Sequence, residues 1–167
     1  AMGKLKKSDV LKVAKLFSRI PKGKEVNSLE VDFSKPVKVS KKFPGPQALL
    51  MVGIPGPSVF DKEYPVFKVI SAYLGGGMSS YLFVELREKR GYAYELASFM
   101  PTRIGKSRLV IYMGTSPDKL KQAKRDLLNL LKTLSFTPEG IEKAKRYLEG
   151  TFFIDHQTYS RVSWYRG

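Results

Sequence analysis

Cysteine is missing from all 167 residues, so disulfides and thiolate-ligated metal sites are excluded. The chain is compatible with a reducing compartment, and a cytoplasmic setting is favoured. Histidine occurs once, as His156, and no G-x-S-x-G elbow is present, which leaves a serine triad without its parts. No apolar run is long enough to span a bilayer. Asparagine (Asn27, Asn129) and glutamine (Gln47, Gln122, Gln157) are sparse among many Lys and Glu, a bias associated with heat-adapted proteins. Acid is scarce too: 15 Asp and Glu stand against 30 Lys and Arg, a net charge of +15. Such an excess could mark nucleic acid or an anionic surface as partner. Its distribution argues otherwise, because basic residues occur throughout, with the densest cluster from Lys4 to Lys24, and no aromatic-interleaved RNA motif or helix-turn-helix spacing accompanies them. A solvated basic surface is favoured, an acidic peptide partner comes next and nucleic acid last.

What is present suits one domain with a proper core, at 43% apolar content. Ala1-Met2-Gly3 reads as a cloning scar before an internal segment. Residues 9–20 place Val10, Val13, Ala14, Phe17 and Ile20 on one helical stripe, which predicts a structural amphipathic helix in preference to a transit peptide. Leu29, Val31 and Phe33, then Val37 and Val39, alternate with polar residues and predict two short strands. Residues 48–54 are almost continuously apolar, the pattern of a central strand buried on both faces, and Pro55-Gly56-Pro57 ends it. Asp61 is placed to cap a following helix that turns Tyr64, Phe67, Val69 or Ile70 and Leu74 inward. Residues 108–113 give another strand. Ser116-Pro117-Asp118 opens a helix with Leu120, Ala123, Leu127, Leu130 and Leu131 facing in, and Thr137-Pro138-Glu139 opens the next. This order predicts an α+β fold, a mainly antiparallel sheet with paired helices packed on one face.

Residues 74–97, LGGGMSSYLFVELREKRGYAYELA, organise the rest. Three glycines break the preceding helix, each costing about 1 kcal/mol relative to Ala inside one. Ser79 or Ser80 is placed to cap a second helix carrying Leu82, Phe83 and Leu86 inward, and Gly91 sits where a helix end wants positive φ. Tyr92, Tyr94 and Leu96 then alternate with Ala93, Glu95 and Ala97, as strand faces do. A phosphate-cradling loop would instead follow a strand, open a helix and end in Lys-Ser or Lys-Thr.

The run 74–83 followed by 85–94 resembles the second-half signature of the pitrilysin, insulinase and mitochondrial processing peptidase family. Members are zinc peptidases with an inverted H-x-x-E-H motif, built from two related halves that close around substrate. The resemblance implies that this chain is the non-zinc half, that Arg87 and Tyr94 correspond to the family's Arg and Tyr pair reaching the bound peptide near the scissile bond, and that Gly75, Gly76 and Gly77 lie near the cleft. It further implies that residues 1–25 are the last helix of the zinc half with the start of the linker, and that residues 26–167 form a substrate-binding domain incomplete at its C-terminus. On the residues alone, Arg87 could merely pair with Glu85 or Glu88, and Tyr94 could be an ordinary strand aromatic.

Catalytic zinc needs three protein ligands and an open position. This chain has one imidazole and no H-x-x-E-H, so no metal site is expected in it, His156 reads as a polar helix residue, and zinc is expected in the partner half. The expected partners are therefore a zinc-bearing half, in the same polypeptide or another subunit, and a peptide substrate. Self-association through apolar surface around Phe152, Trp164 and Tyr165 is also expected. The alternative function is a non-enzymatic scaffold or assembly subunit derived from the same family.

Overall fold

The computed structural model describes residues 3–24, 33, 35–42 and 44–166. The elements run α1 (Lys7–Phe17), β1 (Ala48–Gly56), α2 (Tyr64–Gly75), a π-helix (Phe83–Glu88), β2 (Ala93–Phe99), β3 (Ser107–Thr115), α3 (Leu120–Lys132), α4 (Pro138–Asp155) and α5 (Tyr159–Arg166). They fall into two units, Ser28–Leu148 and a second made of Ala1–Asn27 with Glu149–Gly167.

In the larger unit the three strands are antiparallel in the order β1-β3-β2, and helices pack on the sheet, an α+β fold as the segment order implies. Pairing sets Leu50 opposite Met113, Val52 opposite Ile111 and Ile54 opposite Leu109, so one pleat face of β1 and β3 is apolar and turned to the core. Leu109, Ile111 and Met113 are fully buried there, with Leu74 from α2, Leu82 and Leu86 from the following helical segment and Leu127 from α3.

The sequence misplaces the centre of this sheet. β3, not β1, is the middle strand, and among the described residues β1 lies at the margin with alternating burial. Leu49 and Met51 are 57% and 61% exposed. The apolar run misleads because its outward positions are apolar as well, and periodicity cannot tell that from burial on both faces. Val37 and Val39 form no strand and are each 84% exposed. Leu29 and Val31 lie outside the described residues.

Helix starts follow local chemistry closely. Thr137 Oγ1 accepts the Gly140 N–H at 3.1 Å, capping α4 as its sequence signals. Asp61 does its work one turn early, where its carboxylate accepts the Ser58 N–H at 2.8 Å and closes the turn that leads into α2. In the smaller unit, α1 and α5 bury no residue. The α1 stripe is exposed rather than packed, Phe17 at 65% and Ile20 at 63%. His156 there sits between the rings of Phe152 and Tyr165, with centroids at 3.9 and 4.5 Å, and its Nδ1 meets the Phe152 carbonyl oxygen at 2.7 Å.

Candidate functional site

The glycine triplet is first a packing device. α2 crosses β2 so closely that a Cβ on Gly75 would lie 2.4 Å from the Ser98 backbone nitrogen, and the Ser71 and Ser98 hydroxyls meet at 3.3 Å beside it. Gly77, at φ +134°, takes a conformation that L side chains rarely adopt, and it turns the chain out of α2. Ser80 does not cap the next helix. Its hydroxyl donates to the Gly77 carbonyl at 2.6 Å, so it closes the turn instead of accepting a helix N–H.

After this turn the chain forms a π-helix where an α-helix is expected. Its wider ladder brings positions five apart together, and Glu85 receives both Lys89 Nζ and Arg90 Nη1, at 2.5 and 2.7 Å. The hydrogen bond from Lys89, then that from Arg90, holds the Glu85 carboxyl below the usual glutamate range. Glu85, two residues before Arg87, is thus already engaged. Arg87 is exposed, its guanidinium carbon lies 4.8 Å from the Phe83 ring centroid, and among the described residues it makes no ion pair. π-Helical turns recur at functional sites, where the extra residue redirects a side chain.

Gly91 ends the segment at φ +61°, the left-handed helix end its sequence signals. The turn it begins is held on three sides. Thr115 Oγ1 donates to the Tyr92 carbonyl at 2.7 Å, the Tyr92 hydroxyl donates to Asp126 at 3.1 Å, and Lys119 Nζ donates to the Gly91 carbonyl at 3.1 Å. Burial and the Asp126 carboxylate push the Tyr92 phenol up. Asp126 itself is held low, chiefly by Arg125.

Beyond this clamp the expected alternation fails. Ala93 pairs with Thr115 and Glu95 with Gly114, so Tyr94 is an extra residue, a β-bulge. Ala93 and Leu96 are both buried as a result, while Tyr94 is thrown outward at 57% exposure and has no hydrogen-bond partner among the described residues. β2 is a marginal strand of the described sheet. A bulge at such an edge re-aims a side chain, and here the one re-aimed is a phenol.

Arg87 and Tyr94 therefore stand exposed on adjoining elements, one on each side of the clamped turn. Gly75 meets β2 four residues beyond Tyr94, roughly 13 Å along the strand. Gly76 also borders a cleft of about 220 Å³ between the end of α2, the start of the π-helical segment and the first turns of α4, with Tyr73, Tyr81, Ser79, Glu85 and Tyr147 among its walls. Neither Arg87 nor Tyr94 lines it. Nothing in the sequence links tyrosines as far apart as 73, 81 and 147, so this cleft is invisible before the fold is known.

Among the described residues no group of three or more His, Cys, Asp or Glu is placed to hold a metal ion. No described helix is long and apolar enough to cross a membrane.

A family model described as the peptidase M16 inactive domain matches residues 1–148. An uncharacterized zinc protease of Bacillus subtilis, YmxG, is 28% identical over 165 residues, covering 96% of this chain and 40% of the relative. An uncharacterized zinc protease of Streptomyces coelicolor is 33% identical over 108 residues, 63% of this chain and 24% of that protein. A crystal structure of a peptidase M16 inactive domain from Pseudomonas fluorescens superposes with a TM-score of 0.63 at 27% identity, covering 89% of this chain and 37% of that one. A protease from Helicobacter pylori shares the fold at a TM-score of 0.67 and 22% identity, over 96% of this chain and 42% of that one. The chain thus spans less than half the length of the relatives it matches. With the glycine turn, the helical segment ending at Gly91 and the strand after it all in place, the chain belongs to the peptidase M16 family, as a domain of its inactive type.

Proposed function

We propose that this chain is the substrate-binding half of a zinc-dependent endopeptidase, catalytically incomplete by itself, which closes on a zinc-bearing half from the same polypeptide or a separate subunit. Residues 1–25 serve as the end of the preceding half and the linker, and residues 26–167 as the substrate-binding domain. Membership of the M16 family and relatives named as zinc proteases support this reading. The observation that carries it is the Tyr94 bulge, a phenol lifted out of a marginal strand of the described sheet, across a clamped turn from an exposed arginine that makes no ion pair among the described residues.

Zinc in the other half would polarise the scissile carbonyl and supply the attacking hydroxide. This chain's contribution is positioning and charge stabilisation. The Tyr94 hydroxyl donates a hydrogen bond to the oxyanion as it forms, and the Arg87 guanidinium holds a neighbouring peptide carbonyl with its fixed fork of donors. Phe83 beneath the guanidinium restrains it through a cation–π contact.

The test is reconstitution. The purified chain, dialysed extensively, is expected to hold no stoichiometric zinc and to cleave no peptide, and mixing with the zinc-bearing half is expected to restore cleavage. One tightly held zinc per chain, with activity surviving repurification, would overturn the reading. So would a zinc-bearing half whose cleavage rate is indifferent to this chain, which is the outcome expected of a scaffold.

A further inference from the structure

The cleft beside the glycine triplet has walls of a distinct kind. Tyr73, Tyr81 and Tyr147 are among its lining residues, with Tyr73 and Tyr81 at 6.0 Å between centroids and tilted by 34°, and Tyr73 itself mostly buried against Phe136. The Gly76–Gly77 backbone lies so close to the Tyr147 ring that a Cβ on Gly76 would come within 2.9 Å of it and one on Gly77 within 3.1 Å. Gly140 admits the edge of Tyr73 in the same way, at 2.4 Å from a would-be Cβ. Each glycine therefore gives an aromatic wall its place.

The charges at the cleft are spoken for. Glu85 is bonded to Lys89 and Arg90, and Glu139 to Lys143 at 2.8 Å. No unpaired charge among the lining residues is left to select a cation or an anion, whereas flat aromatic walls favour a flat, neutral guest through offset or edge-to-face packing. The volume sets the size. A cavity of about 150 Å³ suffices for a benzene ring, so 220 Å³ has room for one aromatic side chain. Ser79, exposed at the rim, adds a hydroxyl for a single polar handle.

We propose that this cleft is a binding pocket for one neutral aromatic side chain, Phe, Tyr or Trp, carried by a peptide. The assignment of the guest to a peptide rests on the proposed peptide-binding function; the pocket chemistry does not. Arg87 and Tyr94 do not line the pocket, so it selects substrates by a residue outside the scissile bond and takes no part in the reaction itself.

The test uses the chain itself and no peptidase activity, which keeps its failure separate from failure of the proposed function. Amide NMR spectra of the ¹⁵N-labelled chain are recorded against N-acetyl-tryptophanamide, N-acetyl-tyrosinamide, N-acetyl-argininamide and a five-residue peptide with central Trp. Shifts are expected at Gly76, Gly77, Ser79 and Gly140 with the aromatic amides and the peptide, saturating at about millimolar Kd for an isolated side chain, and not with the arginine amide. Ser79→Trp fills the rim and is expected to weaken binding at least tenfold. Met78→Trp, on a neighbour 80% exposed and outside the lining, is expected to leave binding unchanged. No shift at these amides, equal shifts with arginine, or equal weakening by both substitutions would overturn the proposal. Binding of the free amides without the Trp peptide would overturn the peptide as source.

Discussion

At the scale of single residues, individual glycines carry different demands, and substitution separates them. A Cβ at Gly75 meets backbone, which cannot move aside, so Gly75→Ala is expected to destabilise the fold by about 1 to 3 kcal/mol. At Gly91 nothing lies within reach of a Cβ and only the left-handed φ resists, so Gly91→Ala is expected to cost about 1 to 2 kcal/mol. Gly150, inside α4 with open space around it, is expected to tolerate alanine and gain roughly 0.5 to 1 kcal/mol. Urea unfolding of the three variants checks the order, and a neutral Gly75→Ala would contradict the close approach of α2 to β2. Glu85 gives a pH signature. Its carboxyl is held low by Lys89 and Arg90, so the stability it contributes is present above the ordinary glutamate pKa of about 4.3 and is lost as pH falls through the lowered value. The thermal midpoint of Glu85→Gln is expected below that of the parent at pH 7, with the gap closing on acidification below about pH 4. A gap independent of pH would show that the ion pairs are not its cause.

Among elements, sequence signals that act within a few residues were the legible ones. Thr137 caps α4, Gly91 ends its helical segment with positive φ, and Ala123 and Leu127 face the core as their spacing implies. Three features depend on partners distant in the chain and were not legible. The rank of β3 over β1 is decided by which strand finds two neighbours, and both runs are apolar enough for the centre. The π-helix lies between Leu82 and Gly91, with Leu82 and Leu86 fully buried, and neither composition nor spacing signals its wider ladder. The bulge is set by the Thr115–Tyr92 bond and the register with β3, so regular alternation assigned Tyr94 to a face it does not occupy. That clamp is testable. Thr115 is fully buried, and Thr115→Val leaves the Tyr92 carbonyl without its donor, at an expected cost of about 1 to 3 kcal/mol and with faster amide exchange confined to the turn around residues 91–95. Exchange that stays slow there would mean the bulge is held by other contacts. The resemblance alone suggests Arg87 and Tyr94 as a pair; the fold leaves Arg87 exposed without an ion pair among the described residues and carries Tyr94 outward on the bulge.

For the molecule as a whole, the unit made of Ala1–Asn27 and Glu149–Gly167 presents apolar side chains on every helix it contains. Phe17, Phe153, Ile154 and Trp164 are each more than 60% exposed. Apolar area of this kind seeks cover, and the chain is expected to self-associate in a concentration-dependent way in sedimentation. With a net charge of +15, added salt is expected to strengthen association by screening repulsion, and Phe153→Ser with Trp164→Ser to weaken it. A compact monomer at high concentration and high salt would contradict this.

The central claim, that a substrate-binding half presents Arg87 and Tyr94 to a peptide held by a zinc-bearing half, is tested most directly by kcat/KM in the assembled enzyme. Loss of a hydrogen-bond donor to a developing oxyanion costs roughly 3 to 4 kcal/mol, about a hundred- to thousandfold in rate. Exposed positions such as these usually change stability by less than about 0.5 kcal/mol. Tyr94→Phe and Arg87→Ala are therefore expected to lower kcat/KM by about that factor while zinc content and thermal midpoint stay at parental values. Cleavage at the parental rate by both variants would contradict the account.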